Sequence, residues 1–296
     1  MSDVLARGHH FDTKKLSFLG VLVSLGIVFG DIGTSPLYVM SAIIKAGKEA
    51  QMISEEYIEG ALSCVIWTLT LQTTIKYVLI SLRADNKGEG GILALFSLVK
   101  KMRMKWLYLI AIIGASALVA DGVITPSLTV MASIEGLKQI KGLELGINPI
   151  LAITTIILVV IFVIQQFGTS FIGKFFGPIM VIWFLFLGIM GIINLQYHPE
   201  ILKSFNPYYA YKLIVNSPKA LWILGAVFLC TTGAEALYSD LGHCGAKNIR
   251  VSWFFVKVML ILNYLGQGSW LLKNYEMVFT GTNPFFGMLP QFLIIP

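Results

Sequence analysis

Gly30-Asp31-Ile32-Gly33-Thr34-Ser35-Pro36-Leu37-Tyr38 interrupts an apolar run extending from about Leu16 to Ile44. Two glycines and a proline oppose a continuous helix: glycine is entropically costly to fix, and proline lacks the donor N–H and blocks the carbonyl one turn back. Backbone carbonyls freed in hydrocarbon need partners, so a break of this kind must face protein or a polar cavity. An ionised acid at mid-bilayer costs at least ~2.5–3.5 kcal/mol. A cation beside Asp31 would satisfy the carboxylate and the freed carbonyls together. Tyr38 follows by about two turns, so its hydroxyl can face the same side. The plainer reading is a proline kink with Asp31 paired to a buried Lys or Arg, but no interior cation is well placed for it.

The rest of the chain supports a lipid environment. Of 296 residues, 56% are hydrophobic and 13% charged, where a soluble domain carries about 25% charged residues. Mean hydropathy is +0.78. The apolar residues are grouped into runs of about 20, the length that crosses a bilayer core. The net charge of +6 would suggest nucleic acid in a soluble protein. Here the basic residues sit in loops, which argues for membrane orientation and against a nucleic-acid partner. The three cysteines form no C-x-x-C pair, so neither zinc nor redox work is indicated.

These runs predict an all-α polytopic membrane protein with seven spans and the start of an eighth. The spans lie at about 16–44, 61–82, 106–134, 149–165, 175–195, 220–238 and 253–272, with the chain turning apolar again after Pro284. Residues 1–15 read as a polar tail and 16–296 as one transmembrane domain. The first apolar run is long for a signal-peptide core and lacks an A-x-A site, so it is expected to stay as a span. With the N-terminus inside, six basic residues gather in one inner loop: Arg83, Lys87, Lys100, Lys101, Arg103 and Lys105. The bias places the N-terminus in the cytoplasm of a multi-pass plasma-membrane protein. Lys76 would then snorkel toward the inner surface.

The sixth run is interrupted as well, by Thr231-Thr232-Gly233-Ala234-Glu235. Interrupted segments at matching places in two halves point to an inverted-repeat transporter. A second repeat would need spans six to ten, so it is incomplete within these residues. Two further intramembrane acids accompany Asp31. Asp121 opens Asp121-Gly122-Val123-Ile124-Thr125-Pro126-Ser127-Leu128-Thr129, where spacing by four sets Asp121, Thr125 and Thr129 on one helix face. Back-bonding of each threonine to its own helix is the simpler alternative. Glu235 follows Thr232 by three and shares its face. A carboxyl held in such a place can keep a proton and release it when conditions change, which suits proton coupling. A neutral Glu bonding a neighbouring helix is the alternative.

Other motifs carry less. Gly88-Glu89-Gly90-Gly91 lacks the G-K-[ST] end of a phosphate loop and reads as an ordinary inner loop. The four histidines have no metal spacing, so no transition metal is expected. Trp67, Trp183 and Trp253 read as packing or interface anchors.

The first break resembles the signature of the KUP/HAK/KT potassium uptake family. Arg83-Ala84-Asp85-Asn86-Lys87-Gly88-Glu89-Gly90-Gly91, Val123-Ile124-Thr125-Pro126 and the run Thr232–His243 are similar to that family's segments. So are Asn263-Tyr264-Leu265-Gly266-Gln267-Gly268 and Asn283-Pro284-Phe285-Phe286. The resemblance implies a LeuT-like five-plus-five inverted repeat of the amino-acid/polyamine/cation superfamily and potassium import coupled to protons. It implies potassium ligands at Asp31, Tyr38, Asp121, Thr125, Thr129 and Thr232. It implies proton coupling at Glu235, and helix breaks at Gly30, Gly33, Pro36 and Gly233. It implies no cofactor beyond the transported potassium and proton. Further spans and a cytosolic domain, through which a homodimer could form, are expected beyond Pro296.

Three rivals remain. A same-fold transporter of another cation or of amino acids would, in the amino-acid case, set a substrate carboxylate at the break, where Asp31 repels it. An intramembrane aspartyl protease using Asp31 and Asp121 needs two acids sharing a proton, and Val28 stands where its G-x-G-D pattern wants glycine. A passive channel would use carbonyl loops such as T-V-G-Y-G, which are absent. The ion-site reading makes one geometric demand: the two breaks meet, and Asp31 and Asp121 approach within about one helix diameter, ~10–12 Å.

Overall fold

The computed structural model describes residues 15–50, 52–100, 104, 106–139, 146–165, 170–276 and 281–294. The tail 1–15 therefore lies, but for Lys15, outside the described residues. Among the described residues the structure is helical, with a single isolated bridge, Asn86 to Glu89, in place of any strand.

Five helical stretches are long and apolar enough to cross a membrane: Glu55–Arg83, Trp106–Lys138, Phe176–Leu195, Ala220–Ser239 and Ala246–Lys273. Two shorter apolar helices, Phe18–Val28 and Ile147–Val163, lie where the first and fourth spans are expected. The chain is thus an all-helical, polytopic integral membrane protein. The first span falls short of a crossing helix because its break splits it.

Helix α1 (Phe18–Val28) starts at Ser17, whose hydroxyl accepts from the Gly20 N–H at 3.0 Å. After the break the chain resumes as α2 (Val39–Glu49). Ser54 caps α3 (Glu55–Thr68), and Glu55 and Glu56 in its first turn complement the helix dipole. Beyond Thr68 this span winds as a π-helix over Leu69–Ile80. Its hydroxyls supply a cause. Thr70 donates to the Ile66 carbonyl at 2.7 Å, and Ser81 to that of Lys76 at 2.8 Å. Such back-bonding competes with the helix ladder, and π segments frequently mark functional sites. A short helix, α4 (Gly91–Val99), precedes α5 (Trp106–Glu135), which carries Pro126 without interruption. Then come α6 (Ile147–Gln165), α7 (Ser170–Leu195) and α8 (Pro207–Asn216). The broken sixth span opens with α9 (Ala220–Phe228) and resumes as α10 (Ala236–Ser239) and α11 (Leu241–Cys244). Last among the long helices is α12 (Ala246–Lys273).

The core is a three-helix contact of α1, α7 and α12. It depends on glycines that let backbones touch. A Cβ on Gly26 of α1 would lie 2.6 Å from the Gly177 nitrogen of α7, and one on Gly266 of α12 would lie 2.5 Å from the Gly191 Cα. Close approach through small residues is how helices associate where lipid removes the hydrophobic drive. Past α12, a four-residue helix, α13 (Pro284–Gly287), tucks Phe285 and Phe286 into the core. Most of α5 faces outward, yet Thr125 and Ala132 are buried against the centre.

Candidate cation site

The first break runs from Phe29 to Tyr38. Asp31–Thr34 form turns, and Ser35–Leu37 a single 3-10 turn with Pro36 near its start. Its freed carbonyls are not left for an ion alone. Gly33 accepts from the Trp183 indole N–H at 2.9 Å, Pro36 from the Gln267 amide at 3.0 Å, and Leu37 from the Asn283 amide at 2.7 Å. The Asp31 carbonyl accepts from both the Thr34 N–H and its hydroxyl, at 2.9 and 2.7 Å. Protein donors thus fix the carbonyls of Asp31, Gly33, Pro36 and Leu37, each of which keeps a second lone pair, and the carboxylates and hydroxyls stand beside them. Gly30 and Gly33 do not use left-handed backbone. A Cβ on Gly33 would meet the Phe184 ring at 2.8 Å, whereas Gly30 has open space beside it.

The second break follows a 3-10 turn at Leu229–Thr231. Thr232 leaves the helix with ψ 133°, and Gly233 adopts φ +82°, a conformation that glycine reaches at little cost. The two breaks touch. A Cβ on Gly233 would lie 2.7 Å from the Asp31 Cβ and 2.9 Å from the Ile32 nitrogen.

Helix α5 brings in the third acid. Carboxylate oxygens of Asp31, Asp121 and Glu235 all lie within 4.8 Å of one another, far closer than the helix diameter expected. Thr125 donates to Asp121 Oδ1 at 2.8 Å and so does not bond back to its own helix. Thr129 meets Thr34 hydroxyl to hydroxyl at 3.4 Å, which turns the α5 stripe toward the first break. The Tyr38 hydroxyl is 3.4 Å from Ser35 Oγ and stands beside Thr232. Thr232 donates to the Leu229 carbonyl at 2.8 Å, which leaves its oxygen lone pairs available.

Each of the seven oxygen-bearing residues singled out in the sequence therefore lies at or beside one cluster. The sequence reading missed the supporting donors. Trp183 packs against Phe186 and Phe285, as a packing anchor does, and in addition donates to the first break at Gly33. Gln267 and Asn263, bonded to each other at 2.8 Å and fully buried in α12, carry that support to Pro36. Buried amides in an apolar span were the available signal, because each needs a partner.

The electrostatics favour a cation. Two like charges about 5 Å apart repel by roughly 3 kcal/mol at an effective dielectric of ~20, and three acids make three such pairs. A cavity of about 510 Å³ leads from Asp121 and Glu235 between α4, α5 and the π-wound segment, with Lys76, Tyr77 and Tyr238 on its wall. Lys76 lines this cavity and is itself exposed. The loop 84–91 closes against α10: Tyr238 donates to the Ala84 carbonyl at 2.5 Å.

The chain resembles proteins named for potassium transport over nearly its whole length. It is 53% identical to "Probable potassium transport system protein Kup" of Flavobacterium psychrophilum over 291 residues, 97% of this chain and 43% of that protein. The same protein of Cytophaga hutchinsonii is 53% identical over 300 residues, 100% of this chain and 44% of its own. That of Enterococcus faecalis is 49% identical over 302 residues, 99% and 45% respectively. The chain spans less than half the length of these relatives. No solved structure matches it. Residues 18–296 match the model of the K+ potassium transporter integral membrane domain, and the chain belongs to that family.

Proposed function

We propose that this chain forms the first part of a potassium uptake permease, a transporter and not an enzyme, which imports potassium with a proton across the cell membrane. One observation carries the reading: three carboxylates from both broken spans and from α5 converge within 4.8 Å inside an otherwise apolar helical protein. The relatives' names, which state potassium transport, give the ion. Potassium is here the substrate, held by Asp31 and Asp121 with the oxygens of Tyr38, Thr125, Thr129 and Thr232.

A single monovalent ion cannot neutralise three carboxylates. A proton on Glu235, which faces Asp121 within hydrogen-bonding reach, lowers the excess charge when potassium is bound. Proton loss from Glu235 with potassium departure would couple the two movements. Meeting breaks in the first and sixth spans suit a five-plus-five inverted repeat working by alternating access. In that scheme residues 16–296 are the transport domain, the tail 1–15 is cytoplasmic, and a second repeat and a dimer contact would come from further chain.

The test is rubidium uptake by potassium-starved, transporter-deficient cells expressing the intact protein. Asp31→Asn, inserted at normal levels, should lose uptake by about two orders of magnitude or more, since stripping one partner from a buried charge pair costs ~3–5 kcal/mol. Uptake at the unmodified rate would refute the site.

A further inference from the structure

Lys76 is the least expected residue on the cavity wall. It sits in the π-wound part of the second span, within a helical stretch otherwise apolar enough to cross a membrane. It shares the cavity with Asp121 and Glu235. Among the described residues it forms no ion pair. Its ammonium lies 5.1 Å from the centroid of the Tyr77 ring, within the range at which a ring face attracts a cation. Tyr77 in turn is within electrostatic reach of Glu235. Lys76 and Tyr77 therefore line the same cavity as Glu235 and Asp121, two of the three clustered acids.

An ammonium paired with one of the acids would be a salt bridge that blocks the site. An ammonium held back on an aromatic ring does something different. It leaves the carboxylates free yet raises the potential that an incoming or departing cation meets in the cavity. We infer that Lys76 is a tethered cation which weakens potassium binding at the acid cluster and so speeds the ion's departure through this cavity. The inference rests on the reading of that cluster as the potassium site. It gives the site a direction, because the repulsion acts on one side only. By topology that side is the one where α1 begins and the Glu55–Arg83 span ends.

Calorimetric titration with potassium chloride tests it, using the intact purified protein in an N-methylglucamine buffer. Unmodified protein, Lys76→Gln, Lys76→Met, Lys76→Arg and Asp31→Asn are compared. Removing the positive charge from the cavity wall should tighten binding severalfold, because a like charge there opposes the bound cation. Both neutral variants should show this gain, and rubidium efflux from loaded vesicles should slow with it. Lys76→Arg should bind as the unmodified protein does, which a merely structural lysine would not require. Unchanged or weaker binding in the neutral variants, or the same gain in Lys76→Arg, would overturn the inference while loss of binding in Asp31→Asn left the site standing. Full binding in Asp31→Asn would overturn both.

Discussion

Gly233 lies against Asp31 so closely that a methyl group at 233 would sit 2.7 Å from the Asp31 Cβ and 2.8 Å from its Oδ2. This contact joins the two broken spans. It also explains why the second break carries glycine: φ +82° and the lack of space both exclude a side chain.

Gly233→Ala should therefore cost roughly 1–2 kcal/mol in backbone strain alone, and should push Asp31 out of register with Asp121. Thermal unfolding of the purified protein and potassium-dependent stabilisation should both fall. Gly225→Ala is the control. Gly225 lies in α9 with open space around its Cβ position, and replacing glycine in a helix interior should gain ~0.5–1 kcal/mol. Equal behaviour of the two variants would contradict the close contact.

Trp183→Phe keeps an aromatic ring near Phe186 and Phe285, with which Trp183 now packs at 5.6 and 6.2 Å between centroids. It removes the donor to the Gly33 carbonyl. A buried acceptor left unpaired costs ~1–3 kcal/mol, so the midpoint of thermal unfolding should drop by several degrees while the protein still inserts. An unchanged midpoint would show that the break does not depend on this bond.

Glu235→Gln keeps the shape of the side chain but cannot release a proton. Rubidium uptake into vesicles should continue at reduced rate and lose its stimulation by an inward proton gradient. Stimulation equal to that of the unmodified protein would move the coupling proton to another group.

The breaks and the three acids were legible in the sequence because lipid makes them costly. Asp31, Asp121 and Glu235 stand out in apolar runs, and Pro36 and Gly233 interrupt the helical pattern. The register of α5 was legible too, since a spacing of four fixes which face Asp121 and Thr125 share. What was not legible was who supports the break. Trp183 and Gln267 are separated from Gly33 and Pro36 by about 150 and 230 residues, and periodicity carries no information on such pairings. The π winding at Leu69–Ile80 was hidden for a related reason, because its threonines fit an ordinary helix equally well. The place of Lys76 on the cavity wall was not legible either, because the cavity forms between helices distant in sequence.

The most direct measurement is to locate the ion. Diffraction at the thallium edge, from crystals of the intact protein with thallium(I) replacing potassium, should give an anomalous peak touching the carboxylates of Asp31 and Asp121, and Asp31→Asn should abolish it. A strong peak elsewhere in the protein, with the space between these carboxylates empty, would contradict the account.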